Sequence, residues 1–381
     1  MKHVLILTLN NSSPKGGSEK LWRRLANELV TSGYRVTASV YKHQRGLNEK
    51  SLDQSITIRS RFPRRYGTSL ISRLMNYVLG SFLEHRQVSR ALKVCQPDFV
   101  FFSFGGFAEL DNPKILSAIA EPNVPYATVF HSNTENYVFQ GRSIQLARQF
   151  WLNSSNNFVV SHRIAEIFER QIGMRHLNAK LVVNPMDEFS ETSTDLYANL
   201  DEIVKMAFIG TLDVGVKGIA LLLQVLSAAN LGNSNWELNL FGEGPDRDII
   251  EELIAQFGLE SQVALKGWND NIDEIWNDHH ILVLPSFNEG MPMVIHEAML
   301  RQRVVIATDV GGNAEIITNK INGFLAPSAS FTSLKQTMEL AFDYRNDWAN
   351  IASKARPSII EARKAGHTVQ DIMHAIDHEL N

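Results

Sequence analysis

Short apolar segments alternate with longer amphipathic segments along most of the chain. In the first half, helical periodicity is clearest at 18–31 and 144–154. Strands are predicted between such helical patterns, at 4–9, 36–41, 56–59, 99–103, 126–130, 158–160 and 181–183. Several of these runs are almost continuously apolar, which is typical of parallel strands covered on both faces.

The same alternation starts again after a polar stretch. Residues 190–202, SETSTDLYANLDE, lack clear periodicity and are the candidate linker. Beyond them, helices are predicted at 219–229 and 246–257, and strands at 206–209, 237–241, 263–265, 281–284, 304–307 and 324–325. Two βα series in succession predict two doubly wound, Rossmann-like parallel-sheet domains. Their ligands are expected at the carboxyl ends of strands, in a cleft between the domains.

Composition narrows the class of protein. The 381 residues are 44% hydrophobic and 20% charged, which is ordinary for a globular chain. The single cysteine, Cys95, excludes an internal disulfide and a cysteine-built zinc site, and it favours a reducing, cytoplasmic setting. No stretch reaches the roughly 20 apolar residues of a membrane span. The apolar run at the start is too short for a signal peptide.

The net charge of −4 is unevenly distributed. Residues 1–195 contain 24 Lys and Arg against 16 Asp and Glu, and the remainder contain 13 against 25. The basic excess is concentrated at 59–93, where eight basic residues accompany one acid, Glu84. A solvated surface explains this region as well as a patch for an anionic acceptor or an anionic membrane does.

Residues 286–300, SFNEGMPMVIHEAML, lead from a strand end into an apolar helix and carry two acids. Pro292 fits the first helical position, and the free N–H groups and dipole of the first turn favour a diphosphate. Glu297 shares a helix face with Met293, where a carboxylate can accept hydrogen bonds from a ribose diol. Glu289 is then expected beside whatever group lies on the other side of the diphosphate.

The spacing Glu-x7-Glu after a strand makes this segment resemble the family 4 glycosyltransferases of the GT-B fold. Other segments stand in the order of that family: GGSE at 16–19, FGEGP at 241–245, KGW at 266–268, TDVGGNAEII at 308–317 and NGFLAP at 322–327. The resemblance covers nearly the whole chain and is close for 206–327. HSNTENYVF at 131–139, with ARQFWLNSSNNFVVS and ERQIG, fits a bacterial polysaccharide-type subgroup.

The resemblance implies an α/β GT-B fold, with two doubly wound Rossmann-like domains facing across a cleft. It implies an acceptor-side domain at 1–195, completed by a helix at 358–381 that begins after Pro357, and a donor-binding domain at 196–357. The implied catalytic residues are Glu289, Lys217 and His131. The implied donor-binding residues are Glu297, Gly290, Met291, Met293, Val294, Gly16, Gly17, Gly242, Gly244 and Trp268. The implied acceptor-side residues are Asn133, Glu135 and Asn136.

Each role has a structural alternative. His131 and Trp268 could simply pack, and the glycines could simply form turns. The three acceptor-side residues could be capping or turn residues, namely Asn133, Glu135 and Asn136. Thr211 stands where the family often has an arginine that clamps the diphosphate. Helix-end N–H groups with Lys217, or a basic residue of the first domain, are the two alternatives for that charge.

We therefore expect a retaining hexosyltransferase that moves a sugar from a UDP-sugar or GDP-sugar to a glycan or lipid-linked acceptor. No cofactor or metal is expected, and no Asp-x-Asp triplet follows a strand at the predicted cleft. No nucleic-acid partner is expected. The expected location is cytoplasmic, with peripheral association at the inner membrane face through 59–93 as an option. A nucleotide-sugar epimerase or hydrolase and a non-catalytic binding module are the alternatives.

Overall fold

The computed structural model of the chain consists of two compact units. The first comprises Met1–Pro185 and Gly366–Asn381, and the second comprises Met186–Ala365. The described residues are 1–10, 16–61, 81–120, 124–176, 178–186, 196–197, 203–232 and 235–381. Apart from Leu196 and Tyr197, the predicted linker at 190–202 lies outside them.

The first unit is built on seven parallel strands. They are β1 (His3–Thr8), β2 (Arg35–Tyr41), β3 (Thr57–Arg61), β4 (Phe99–Phe104), β5 (Tyr126–Phe130), β6 (Asn156–Val159) and β7 (Ala179–Leu181). Their order in the sheet is β3-β2-β1-β4-β5-β6-β7. The chain therefore reverses direction across the sheet at β1 and β4, whose carboxyl ends form the switch point.

The described helices of this unit alternate with its strands along most of the chain. They are Gly17–Thr31, Arg45–Ser51, Ser81–Cys95, Pro113–Ala120, Ser143–Asn153, His162–Ile172 and Val369–Leu380. Stacked rings fill part of the core: Phe107 lies 4.1 Å from Phe130 and 4.0 Å from Phe168, measured between ring centroids. Every residue of β1 and β4 is buried, as the continuous apolar runs predict.

The second unit is built on six parallel strands. They are β8 (Ile203–Ile209), β9 (Asn235–Phe241), β10 (Val263–Gly267), β11 (Ile281–Leu284), β12 (Val304–Thr308) and β13 (Phe324–Ala326). Their order is β10-β9-β8-β11-β12-β13, so the switch point lies between β8 and β11. Its helices are Val214–Lys217, Ile219–Leu226, Arg247–Gln256, Ile272–Asp278, Met293–Leu300, Asn313–Ile316, Phe331–Asp343 and Trp348–Lys364.

The sequence-based prediction of two parallel α/β sheets is confirmed. Each predicted strand lies within a few residues of an observed one. The fully buried strands, such as β1 and β4, carry the clear apolar signature of burial on both sheet faces. The relative placement of the two domains across a cleft stays a prediction.

The chain end joins the first unit. Val182 forms a parallel bridge with His367, the Val183 N–H donates to the His367 carbonyl (2.9 Å), and Lys2 Nζ donates to the Leu380 carbonyl (2.8 Å). The crossing occurs at Gly366 and not at Pro357, which lies inside the helix Trp348–Lys364.

Pro357 does not end its helix because an apolar face continues through it. Ile351, Ala355 and Ile359 are buried on that face, and their packing offsets the lost backbone hydrogen bond. No helix among the described residues has the length and apolar character needed to cross a membrane.

Candidate functional site

Two loops meet at the switch point of the second sheet. The first follows β8 and contains Lys217, and the second follows β11 and contains Glu289. The loops contact through their backbones: the Phe287 N–H donates to the Val216 carbonyl (2.8 Å). A Cβ at Gly218 would lie 2.1 Å from the Pro285 carbonyl oxygen, so this approach requires glycine.

A one-turn helix places Lys217 at this junction. Asp213 caps it by accepting a hydrogen bond from the Val216 N–H (3.0 Å), and Gly218 ends it in the left-handed conformation with φ 66°. Asp246 adds a second anchor by accepting from the Val214 N–H (2.8 Å). Lys217 is thus the last residue of a capped turn.

Lys217 and Glu289 form an ion pair. Lys217 Nζ lies 2.6 Å from Glu289 Oε1, and the Ser286 hydroxyl donates to the same oxygen at 2.7 Å. The Glu289 side chain is 8% exposed and that of Lys217 is 20% exposed. A pair that is mostly removed from water interacts more strongly than a surface pair. The structure therefore brings together two of the three predicted catalytic residues.

The helix Met293–Leu300 presents one face outward beside this pair. Met293, Val294 and Glu297 are half-buried, whereas Ile295 and the other residues of the helix are buried. Glu297 therefore shares the outward face with Met293, as predicted. The helix begins at Met293 with Pro292 as its N-cap residue, so the prediction that Pro292 is the first helical residue is wrong by one position. The first turn still carries the free N–H groups and positive dipole end.

Gly242 and Gly244 hold neighbouring loops together. Gly242 has φ 135°, and a Cβ there would lie 1.9 Å from the Gly210 carbonyl oxygen. A Cβ at Gly244 would lie 2.3 Å from the Leu212 carbonyl oxygen. These contacts support the turn alternative, and they place the loop after β9 against the loop that carries Lys217.

The remaining predicted donor-side residues surround the same strand ends. The Gly290 carbonyl accepts from the Gly312 N–H at 2.7 Å, and half-buried Met291 packs against the core. Trp268 follows β10, is 44% exposed, and donates from Nε1 to Asp270 Oδ1 at 2.6 Å. The exposed ring of Trp268 remains accessible to a ligand.

Thr211, at the position where the resemblance leads one to expect arginine, is exposed. Arg303, close in sequence to the site, is completely buried and donates from Nε to the Trp276 carbonyl (2.7 Å). Burial lowers the pKa of Arg303. Its guanidinium forms hydrogen bonds inside the unit. Within this unit Lys217 is the cation in contact with Glu289.

In the first unit, His131 follows β5 and lies near Ser103, with 3.4 Å between Nε2 and the serine Oγ. Burial lowers the pKa of His131 to about 3, so the ring is neutral at pH 7. Its Nδ1 is enclosed without a partner among the described residues. Gly17 begins the helix Gly17–Thr31, and Gly16 is its N-cap residue.

The predicted acceptor-side residues differ in their surroundings. Asn133 is buried and donates to the Ile164 carbonyl (3.1 Å) and Gln171 Oε1 (3.0 Å), which agrees with its structural alternative. Glu135 is exposed and pairs with Arg163 at 2.8 Å. Asn136 is exposed. Of the basic region at 59–93, residues 62–80 lie outside the described residues.

The sequence reasoning missed three polar residues behind Glu289. Ser286, Thr308 and Asn313 are completely buried, and Ser286 contacts Glu289 directly. For Ser286 and Thr308 the available signal was a hydroxyl at or just after the end of a buried strand, since such positions lie at the ligand edge of a parallel sheet.

Comparison with models of protein families gives a match within the second unit. Residues 204–342 match the family model described as "Glycosyl transferases group 1". The match covers most of the second unit. The family 4 assignment is compatible with this match and stays a prediction.

Relatives with glycosyltransferase names match to different extents. A Campylobacter jejuni α-1,4-N-acetyl-D-galactosaminyltransferase, named for an undecaprenol-linked substrate, is 22% identical over 92% of this chain and 91% of its own length. A Staphylococcus aureus poly(ribitol-phosphate) α-N-acetylglucosaminyltransferase is 29% identical over 39% of this chain. The chain spans 30%, 12% and 32% of the length of three curated relatives.

Solved structures resemble the whole chain. TarM has a TM-score of 0.71 at 14% identity and covers 100% of this chain and 99% of its own. Anabaena Alr3699/HepE in complex with UDP has a TM-score of 0.70 at 18% identity, with 100% and 99% coverage. At these identities the likeness shows the fold alone, and it confirms the GT-B fold class.

Proposed function

We propose that this protein is a retaining glycosyltransferase. It moves a hexose-type sugar from a nucleoside diphosphate sugar to a glycan or lipid-linked acceptor in cell-surface glycan synthesis. The observation that carries the proposal is the contact between Lys217 and Glu289 at a switch point, beside the helix that presents Glu297. Such a strand-end site, with a helix N-terminus next to it, suits a diphosphate-containing ligand.

The two charges of the pair have complementary tasks in this reaction. Lys217 neutralises the negative charge that develops on the leaving diphosphate, and Glu289 faces the positive charge that develops at the anomeric carbon. Both are electrostatic stabilisation of the transition state. The leaving phosphate accepts the proton of the acceptor hydroxyl on the face from which it departs, so retention requires no protein nucleophile.

The helix Met293–Leu300 orders the donor along its outward face. Backbone N–H groups of Met293 and Val294 bind the diphosphate, because the first turn carries unpaired donors. Glu297, on the same face, accepts hydrogen bonds from the ribose hydroxyls. Gly290 and Met291 contact the sugar, and Trp268 borders the base. No metal ion is required when the lysine and the helix end supply the positive charge.

The relatives favour particular substrates. HepE was solved with UDP, and the C. jejuni relative is named for an undecaprenol-linked glycan. We therefore infer a UDP-sugar in preference to a GDP-sugar, and a lipid-linked glycan in preference to a free one. Peripheral association with the cytoplasmic face of a membrane would bring the enzyme to such an acceptor.

The presence of Thr211, where the family often has an arginine, favours one alternative function. That alternative is a non-catalytic module that binds a nucleotide sugar. Removing one of two diphosphate-binding cations could abolish turnover while binding is retained. An epimerase or hydrolase would instead consume the donor without an acceptor. These three functions differ in what they do to a labelled donor.

A donor screen tests the proposal. The purified chain is incubated with UDP-sugars and GDP-sugars, with and without a bacterial glycolipid extract, and thermal stability and product are measured. We expect UDP to raise the melting temperature, and labelled sugar to reach the lipid fraction only when extract is present. Equal donor consumption without extract indicates a hydrolase or epimerase. Binding without consumption indicates a non-catalytic module.

A further inference from the structure

The Glu289 carboxylate is held on one side only. Lys217 Nζ (2.6 Å) and Ser286 Oγ (2.7 Å) both donate to Oε1. Within the described part of the chain, Oε2 accepts no hydrogen bond and is not enclosed. The two oxygens of this carboxylate are therefore not equivalent.

Ser286 is itself fixed by buried hydrogen bonds. Its carbonyl accepts from the Thr308 hydroxyl at 2.6 Å, and the Thr308 carbonyl accepts from Asn313 Nδ2 at 2.9 Å. All three residues are completely buried. Hydrogen bonds in such a water-free environment restrict geometry more than exposed ones do. A continuous series of contacts thus runs from β12 to the Glu289 carboxylate.

The backbone at Glu289 is held from the same direction. The Gly312 N–H donates to the Gly290 carbonyl at 2.7 Å. A Cβ at Gly311, which has φ 54°, would lie 2.3 Å from the Glu289 carbonyl oxygen. The segment 308–313, TDVGGN, therefore supports both the main chain and, through Ser286, the side chain of Glu289.

We propose that Ser286 and Thr308 are positioning residues that direct Glu289 Oε2 toward the donor sugar. Lys217 cannot do this alone, because its ammonium sits on a flexible chain and must also contact the diphosphate. When Lys217 turns to the diphosphate, the Ser286 hydroxyl stays on Oε1 and keeps the carboxylate oriented. The inference rests on the proposed function, since it deepens the role assigned there to Glu289.

Four variants test it. Ser286→Ala and Thr308→Val remove the hydroxyls, Thr308→Ser keeps one, and Thr337→Val is the matched control. Thr337 is buried in the same unit, in the helix Phe331–Asp343, and its hydroxyl donates to the Ser333 carbonyl (2.9 Å). We expect kcat to fall about tenfold in Ser286→Ala, because a hydrogen bond to a charged group is lost. In Thr308→Val the lost hydrogen bond is to the Ser286 carbonyl, and we expect a fall of about threefold. KM for the donor and Kd for UDP should stay within about twofold.

The conservative and control variants separate positioning from stability. Thr308→Ser should retain native kcat, and Thr337→Val should lower the melting temperature without changing kcat. Native kcat in Ser286→Ala, or equal kcat losses in Thr308→Val and Thr337→Val, would overturn the proposal. So would a parallel rise of KM and Kd that accounts for the whole loss.

A crystal structure of Ser286→Ala supplies a readout that needs no turnover. We expect the Glu289 carboxylate to rotate away from its native orientation, and an unchanged orientation would contradict the proposal. If the native protein binds UDP but transfers no sugar from any donor, the proposed function fails. The carboxylate orientation in the variant still decides whether Ser286 positions Glu289.

Discussion

The two parallel sheets share a topology but differ at their carboxyl edges. At the second edge the loops after β8, β9, β11 and β12 touch through their backbones, and Lys217 and Ser286 both donate to the Glu289 carboxylate. At the first edge, buried polar atoms lack partners among the described residues, including Glu19 Oε1 and His131 Nδ1. Asn313 Oδ1 is a comparable atom at the second edge.

The second edge is therefore distinguished by loops that pack on one another and by a paired carboxylate, whereas both edges contain a buried polar atom without a partner among the described residues. Buried polar groups are usually hydrogen-bonded, and each exception carries a cost in stability. The group 1 family match is confined to 204–342, which lies in the unit whose loops touch at the strand ends.

The largest expected effect is at Glu289. In the proposed function Glu289 faces the anomeric carbon, so Glu289→Ala should lower kcat by about 10²–10³-fold, with little change in Kd for UDP. In the same proposal Glu297 binds the ribose, so Glu297→Ala should raise Kd for UDP about tenfold with a smaller loss of kcat. Steady-state kinetics and calorimetric titration with UDP measure the two effects.

Asn136→Ala is the matched control from the first unit, since this residue is exposed. It should leave Kd for UDP unchanged. Native transfer rates in both glutamate variants would show that the carboxyl edge of the second sheet is not the donor site.

The second prediction concerns the contact between loops. In Gly242→Ala a Cβ would meet the Gly210 carbonyl oxygen at 1.9 Å in a backbone of φ 135°. We expect a loss of about 3 kcal/mol in the free energy of unfolding, measured by urea denaturation. In Gly215→Ala the nearest atom to the Cβ is Asp213 Oδ1 at 3.5 Å, and the change should stay within about 0.5 kcal/mol. Equal stability of the two variants would mean that the loops at the second edge are not tightly packed.

The third prediction addresses the first edge and depends on pH. Burial raises the pKa of Glu19 from 4.5 to about 7, against the weaker opposing effect of the Trp22 N–H on Oε2. Between pH 4.5 and 7 the folded chain keeps a proton that the unfolded chain has lost. Stability from this group is therefore full below pH 4.5 and is lost as pH rises to 7, by about 3 kcal/mol.

Glu19→Gln should lack this loss, so its unfolding free energy should change less than that of the native chain between pH 5 and 8. Urea denaturation at several pH values measures the slope. Glu28→Gln is the control in the same helix, where Glu28 pairs with Arg24 at 3.0 Å. If both variants alter the slope of unfolding free energy against pH equally, the pH-dependent loss does not come from Glu19.

Strands such as β1 and β4 were predictable because each is an apolar run that both sheet faces bury. Glu297 was also predictable, since helical periodicity alone places it on the face of Met293. The course of the chain at Pro357 was not. A proline is a local signal for a break, but the buried face of Ile351, Ala355 and Ile359 outweighs it.

The sequence by itself determined the repeated parallel α/β pattern, the two acids of the Glu-x7-Glu spacing and the helix that carries the second acid. These follow from periodicity and local chemistry, which are written along the chain. Only the tertiary structure placed Lys217 on Glu289, Ser286 on the same oxygen, and Thr308 behind Ser286. The first and last of these contacts join strand ends that are distant in sequence, and sheet order, not spacing along the chain, brings them together.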